Sequence, residues 1–273
     1  MGVAESDVGG VSRLRRHLRR VRKHGGWLLV SLSCLWLVRQ FVPEAALRSA
    51  TEVGGSFLQT FGGMYGVIVA FAIYLVWTQH NETQVAIERE AVSLVELYRV
   101  LGWFPSWPQR DAIRQSLKTY SRGVPLSYTG GPPLNERELL ENGLGAFLSH
   151  APATPAEERL FETALDRFHE LNEARGHRAT VARLRMGEGL RWFVFIGGGL
   201  TISGLELVWV DSLPLHAAFV AGMTWVVVAA ASIVIDLDDP TSGDFVVDWS
   251  HFLDAGASME LARCPAPHPS PGP

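Results

Sequence analysis

The chain is poor in lysine, cysteine and charge. Lys23 and Lys118 are its only lysines, beside 22 arginines, a compositional bias to which no function attaches. Two cysteines, Cys34 and Cys264, offer no disulfide framework and no metal-ligand spacing. Cys34 does not fit a lipoprotein site, because Ser31 stands where leucine is needed. Charged residues are 19% of the 273 and hydrophobic ones 47%, whereas about a quarter of a soluble protein is charged. The net charge of −4 averages over segregated stretches and excludes little. No segment alternates like a strand, and Gly197-Gly198-Gly199 follows none, so a dinucleotide fold is excluded. No Ser/His/Asp or Cys/His spacing marks a nucleophile, and no enzyme is expected.

What the chain does have is long apolar runs. Four are candidates to cross a bilayer, which takes ~20 residues of helix: Trp27 to Val42, Phe57 to Trp77, Trp192 to Val210 and Leu213 to Ile235. The first carries Arg39 near one end, where its stem can snorkel to the interface. RLRRHLRRVRKH followed by GWLLVSLSCLWLV also reads as a signal peptide. EAALRSA only approximates a cleavage site, however, so an uncleaved anchor is expected. The opening MGVAES matches the myristoylation pattern, which is short enough to arise by chance.

Arginine sets the orientation, because cytoplasmic flanks of spans are rich in it. The arm before span one holds Arg13, Arg15, Arg16, Arg19, Arg20, Arg22 and Lys23, and fourteen basic residues lie from Arg89 through Arg191. The first loop has only Arg48, and Asp211-Ser212 has none. Four crossings follow, with both termini and the middle segment inside, as in a bacterial inner membrane. The arm's other reading is nucleic-acid binding. Beside a span, its expected part is to fix topology and touch anionic headgroups, so the partner is the lipid bilayer and no nucleic acid is expected.

The expected class is an all-α membrane protein. A basic cytoplasmic arm covers 1–26, spans one and two 27–78, a cytoplasmic helical region 79–191, spans three and four 192–236, and a cytoplasmic acidic motif with a flexible tail 237–273. Within it, VIVAFAIYLVWTQHNETQVAIEREA passes from lipid-like to water-like without a proline or a glycine after Gly66, predicting one helix that leaves the membrane. Ile87, Ala91, Leu94, Val95, Tyr98 and Leu101 recur at helical spacing. Ser106 with Gln109, Asn135 with Glu138 and Thr154 with Glu157 form capping boxes. SRGVPLSYTGGPPLN reads as loop. The helix from Pro155 buries Leu160, Phe161, Ala164, Leu165, Phe168 and Leu171, with bends expected at Gly176 and Gly187-Glu188-Gly189.

Gly62-x-x-x-Gly66 and the Gly197–Gly199 run suit close helix packing. His169, Glu173 and His177, with Glu170 beside them, could gather a divalent ion on a straight helix. A bend at Gly176 and an exposed polar face argue against that, so neither metal nor cofactor is expected. Glu206 sits within span three, where a carboxylate is costly unless paired or wetted. It either reaches the outer interface beside Asp211, or marks a pathway mouth or a contact between subunits.

Two stretches carry a resemblance. GGMYGVIVAFAIYLVWTQHNETQVAIEREAVSLVELYR resembles the second span and following helix of the bestrophin-like family of bacterial membrane proteins. LDDPTSGD is similar to that family's Asp-Xaa-Pro-Phe-Ser-Gly signature, with Thr241 in place of Phe and with Asp238, Pro240, Ser242 and Gly243 matching. Leu171-Asn172, Arg178, Arg183 and RWFVFIGGGLTI fit between them. The resemblance runs from Gly62 to Asp244. It implies a distant relation to bestrophins, which are pentameric anion channels with four spans per subunit, an apolar neck on the second span, and an acidic motif after the fourth that helps bind calcium in some members.

Matching Trp77-x-Gln79 places Gln59, Gly63 and Val67 at the neck positions, two of them not bulky and apolar. Gly63, Val67 and Phe71 are the pore-lining candidates, and Asp236, Asp238, Asp239, Pro240, Ser242, Gly243 and Asp244 the acidic motif. The resemblance thus implies a homo-oligomeric channel, a pentamer, permeable to inorganic anions. The alternative is a non-conducting membrane scaffold or sensor whose cytoplasmic helices bind a partner, with Gly62 and Gly66 packed inside one subunit.

Overall fold

The structure, a computed structural model, describes residues 24–105, 107–239 and 245–261. Among these every regular element is a helix and none is a strand. In order they are α1 (24–41), α2 (Glu44–Leu101), α3 (Pro108–Tyr128), α4 (Glu136–Leu148), α5 (Pro155–Val181), α6 (Glu188–Glu206), α7 (Leu213–Asp238) and α8 (Ser250–Leu261). The all-α class is as expected. The basic arm up to Lys23, Ser106, the motif residues Pro240, Ser242, Gly243 and Asp244, and the tail with Cys264 lie outside the described residues.

The chain divides into two compact units, one of residues 1–78 and 185–245, the other of 79–184 and 246–273. In the first, Tyr65, Val69, Ala72 and Val76 recur along one face of α2 and are buried with Val194 of α6 and Val227, Val234 and Leu237 of α7. No residue of α1 joins that core. In the second, Ile87, Leu94, Leu97, Tyr98 and Leu101 of α2 are buried with Ile113, Leu117 and Tyr120 of α3, Phe147 of α4, Phe168 and Leu171 of α5, and Phe252 and Met259 of α8.

Helix α2 runs 58 residues without a break, about three times what a bilayer crossing takes. No proline interrupts it, and its glycines end at Gly66. Two helices, α2 and α7, are long and apolar enough to cross a membrane, and only 22% and 28% of their apolar windows are buried. Helix α6, whose 19 residues include Glu188, Arg191 and Glu206, is not among them.

The two caps that fall on described residues hold. Asn135 accepts from the Glu138 N–H at 3.3 Å, and Thr154 from the Glu157 N–H at 3.2 Å. At α3 the N-cap position falls on Trp107, which makes no side-chain cap bond, and the expected cap residue Ser106 lies outside the described residues.

The segment read as loop from Ser121 is instead helical to Tyr128. Proline at 125 forgoes one backbone bond, but Tyr120, Ser121, Val124 and Pro125 are buried and packing keeps the turn. The stop comes at Gly130, whose φ of +93° suits glycine alone, with the Gly131 N–H returning to the Leu126 carbonyl at 2.7 Å in a Schellman closure. Gly176 is no bend either. Helix α5 passes through it because Ala174 and Arg178 on either side are buried.

Candidate functional site

On α2 the face opposite Tyr65 and Val69 is bare. Gly63, Val67 and Phe71 stand one turn apart and all are exposed, Val67 to 71% and Phe71 to 58%. A Cβ added at Gly62, Gly63 or Gly66 meets nothing within 4 Å. The close packing expected of Gly62-x-x-x-Gly66 is therefore not made among the described residues. At Gly197 and Gly198 it is. A Cβ at Gly197 stands 2.7 Å from the Tyr65 ring, and one at Gly198 stands 2.5 Å from Val227. Those missing side chains let the Tyr65 hydroxyl donate to the Val194 carbonyl at 3.0 Å.

Glu206, at the end of α6, is 3% exposed. Its neighbour in sequence Asp211 is exposed and pairs with Arg48 at 2.6 Å. Glu206 is thus turned into the subunit rather than grouped with Asp211. Beside it, the Nε2–H of His216 donates to the Leu205 carbonyl at 3.0 Å, which leaves Nδ1 to accept from Arg39 at 3.0 Å. The guanidiniums of Arg39 and Arg48 lie 4.4 and 5.1 Å from the Trp209 ring. Arg39 ties α1 to α7 through His216 and to the α6–α7 connection through the Val210 carbonyl.

The acidic motif begins where α7 ends. Asp238 accepts the Met186 N–H at 2.5 Å, and Asp239 pairs with Arg185 at 3.4 Å. With Asp236 and Arg191 they line a recess of about 310 Å³. His169, Glu170, Glu173 and His177 lie exposed on α5. No group of three or more metal-ligating side chains among the described residues could hold an ion.

The densest polar cluster was not expected. Arg178 and Glu90 are fully buried and joined at 2.5 Å. Arg178 also reaches Glu136 at 2.5 Å and donates to the Tyr128 hydroxyl at 2.9 Å, while the Tyr120 hydroxyl donates to Glu90. Burial works against the guanidinium charge, but Glu90 and then Glu136 outweigh it and hold Arg178 cationic, above its usual range. Burial first, and then the Glu90 charge, push the Tyr120 phenol well above its ordinary value. The cluster joins α2, α3, α4 and α5 and carries no sign of substrate chemistry. The sequence did hold a signal for it: Glu90 falls three residues from Ile87 and four from Leu94 on an apolar stripe, and Arg178 falls seven from Leu171 on another.

The family model for the bestrophin-like domain matches residues 25–252. A crystal structure of a bacterial bestrophin homologue from Klebsiella pneumoniae superposes with a TM-score of 0.67 at 11% identity, over 89% of this chain and 97% of that one. A variant of that homologue gives 0.69 at 11% identity, over 89% and 97%. A crystal structure described as that of a membrane protein gives 0.70 at 10% identity, over 89% and 97%. These likenesses are of fold. No curated protein matches the chain.

Proposed function

Since the chain belongs to the bestrophin-like family, we propose that it is an integral membrane protein that assembles as a ring, a pentamer, around an anion-permeable pathway lined by α2. In this reading α1, the first part of α2, α6 and α7 are the four crossings, residues 79–191 form the cytoplasmic helical region, and both termini lie inside a bacterial inner membrane. One observation carries it. Among the described residues of its own subunit, the Gly63, Val67 and Phe71 face of α2 has no packing partner, and neither do Gly62 and Gly66. A scaffold would pack those glycines internally, so their exposure favours the pathway. Apolar side chains at such a neck strip an anion of part of its hydration, with helix dipoles and nearby polar groups compensating.

Native mass spectrometry of the complex in mild detergent tests the assembly. Five subunits are expected. A monomer or dimer that persists across detergents leaves no axis for the pathway and restores the scaffold.

A further inference from the structure

Polar side-chain pairs tie α1 to α7: His24 with Ser232, Ser31 with Thr224, and Arg39 with His216. The last pair differs from the others in what it demands of its histidine. His216 is 1% exposed, and both of its ring nitrogens are committed. A carbonyl only accepts, so Nε2 must carry the proton that it gives to Leu205. A guanidinium only donates, so Nδ1 must be bare to receive Arg39. The imidazole is therefore neutral wherever the pair is intact. His216 also lies in the first turn of α7, where the helix dipole opposes a cation.

We propose that the Arg39–His216 pair is an acid-operated latch, which holds the Arg39 end of α1 while His216 is neutral and releases it when Nδ1 is protonated. A proton at Nδ1 sets donor against donor and cation against cation across a contact of 3.0 Å. Arg39 cannot shed its charge, so the pair itself must part. A released imidazole in water takes its proton near pH ~6.5. Below that value the released state binds one proton more than the held state, and holding weakens by about tenfold per pH unit. The other charges on the elements packed here are Arg48 and Glu44 of α2, Asp211 of the α6–α7 connection, and Glu206 of α6. Arg48 bonds both Glu44 and Asp211, and exposed carboxylates titrate near pH ~4, below the histidine window. Glu206 is buried and is the rival sensor. That this end of α1 meets protons from outside the cell rests on the orientation proposed above; the latch itself does not.

The test is hydrogen exchange of the detergent-solubilised complex at about pH 8 and about pH 5, on either side of the ordinary histidine value, with intrinsic exchange rates divided out. Protection at residues 38–41 and 207–212, which Arg39 joins, should fall about tenfold on acidification. Residues 24–31, at the His24 end, should not respond. In His216→Gln the amide can still donate to Leu205 or accept from Arg39 but does not titrate, and protection should be alike at the two pH values. Glu206→Gln should respond as the parent does. A flat parent profile, a response led by the His24 end, an acid response kept by His216→Gln, or one lost in Glu206→Gln overturns the latch. If His216→Gln is open at both pH values, nitrogen-15 NMR of labelled histidine in the parent decides. The His216 imidazolium should appear together with the exchange, and its appearance at full protection overturns the latch. A chain found in the soluble fraction overturns the membrane reading, and the pH profile then still judges the latch by itself.

Discussion

The guanidinium Nε of Arg178 lies 2.5 Å from a carboxylate oxygen of Glu90, 88 residues away in sequence, with both side chains at 0% exposure. Removing one member strands the other's charge in the interior, which typically costs about 3–5 kcal/mol. Arg178→Met should therefore lower the unfolding midpoint sharply, because Glu90 and Glu136 lose their shared cation. Glu90→Gln combined with Arg178→Met should recover a large part of the loss, since fewer buried charges are then unmatched. A single Arg178→Met variant that unfolds like the parent in a thermal scan contradicts this account.

Glycines on α6 and α2 should respond oppositely to alanine. At Gly198 the new methyl would sit 2.5 Å from Val227 and 2.8 Å from the Tyr65 hydroxyl, so Gly198→Ala must displace a packed side chain, at about 1–3 kcal/mol. At Gly66 a methyl meets open space, and helix propensity alone favours alanine by about 0.5–1 kcal/mol. Thermal stability of the detergent-solubilised protein distinguishes the two. If Gly66→Ala keeps stability but breaks the oligomer, the free face of α2 is where subunits meet.

Val67 tests conduction rather than folding. Being exposed to 71% in its own subunit, it should accept glutamate without unfolding the chain. In the proposed ring each subunit then places one carboxylate at the pathway, and a ring of acids opposes anions. Val67→Glu should lower anion efflux from liposomes on the order of tenfold at unchanged oligomer mass. Unaltered flux would remove α2 from the pathway.

Asp248 makes α8 sensitive to acid. The backbone N–H of Ser250 and then its hydroxyl donate to the Asp248 carboxylate, both at 2.8 Å, and hold it below the usual carboxylate range. A carboxylate depressed by folding contributes stability above its unfolded value, and that contribution is lost as pH falls through the lower, folded value. Hydrogen exchange at α8 should rise on acidification through that window. Asp248→Asn should flatten the response. An equal response in the variant would assign it to another group.

Legibility followed local chemistry. The apolar periods of α2 and α5 predicted Ile87, Leu94, Ala164 and Phe168 as buried, and the Asn135 and Thr154 caps hold, because such signals act within a turn or two. The misreadings occurred where tertiary packing overrules local propensity. Pro125 and Gly176 are breakers by composition, yet each sits in a helix whose neighbours are buried. Gly62 and Gly66 read like Gly197 and Gly198 in sequence, and only the placement of Tyr65 and Val227 tells a packed glycine from an open one. Glu90, on the apolar stripe, was passed over because its cation lies on another helix.

The polar docking of α1 has a consequence for synthesis. Its partners come late: His216 lies 177 residues after Arg39, Thr224 193 after Ser31, and Ser232 208 after His24. At about 5–20 residues per second, the ribosome needs about 10–40 s to make the partner of His24. For that interval α1 carries its hydrogen-bonding groups without their native counterparts. Helix α1 finds its polar partners only once α7 has been made, and until then it depends on whatever the insertion machinery holds against it.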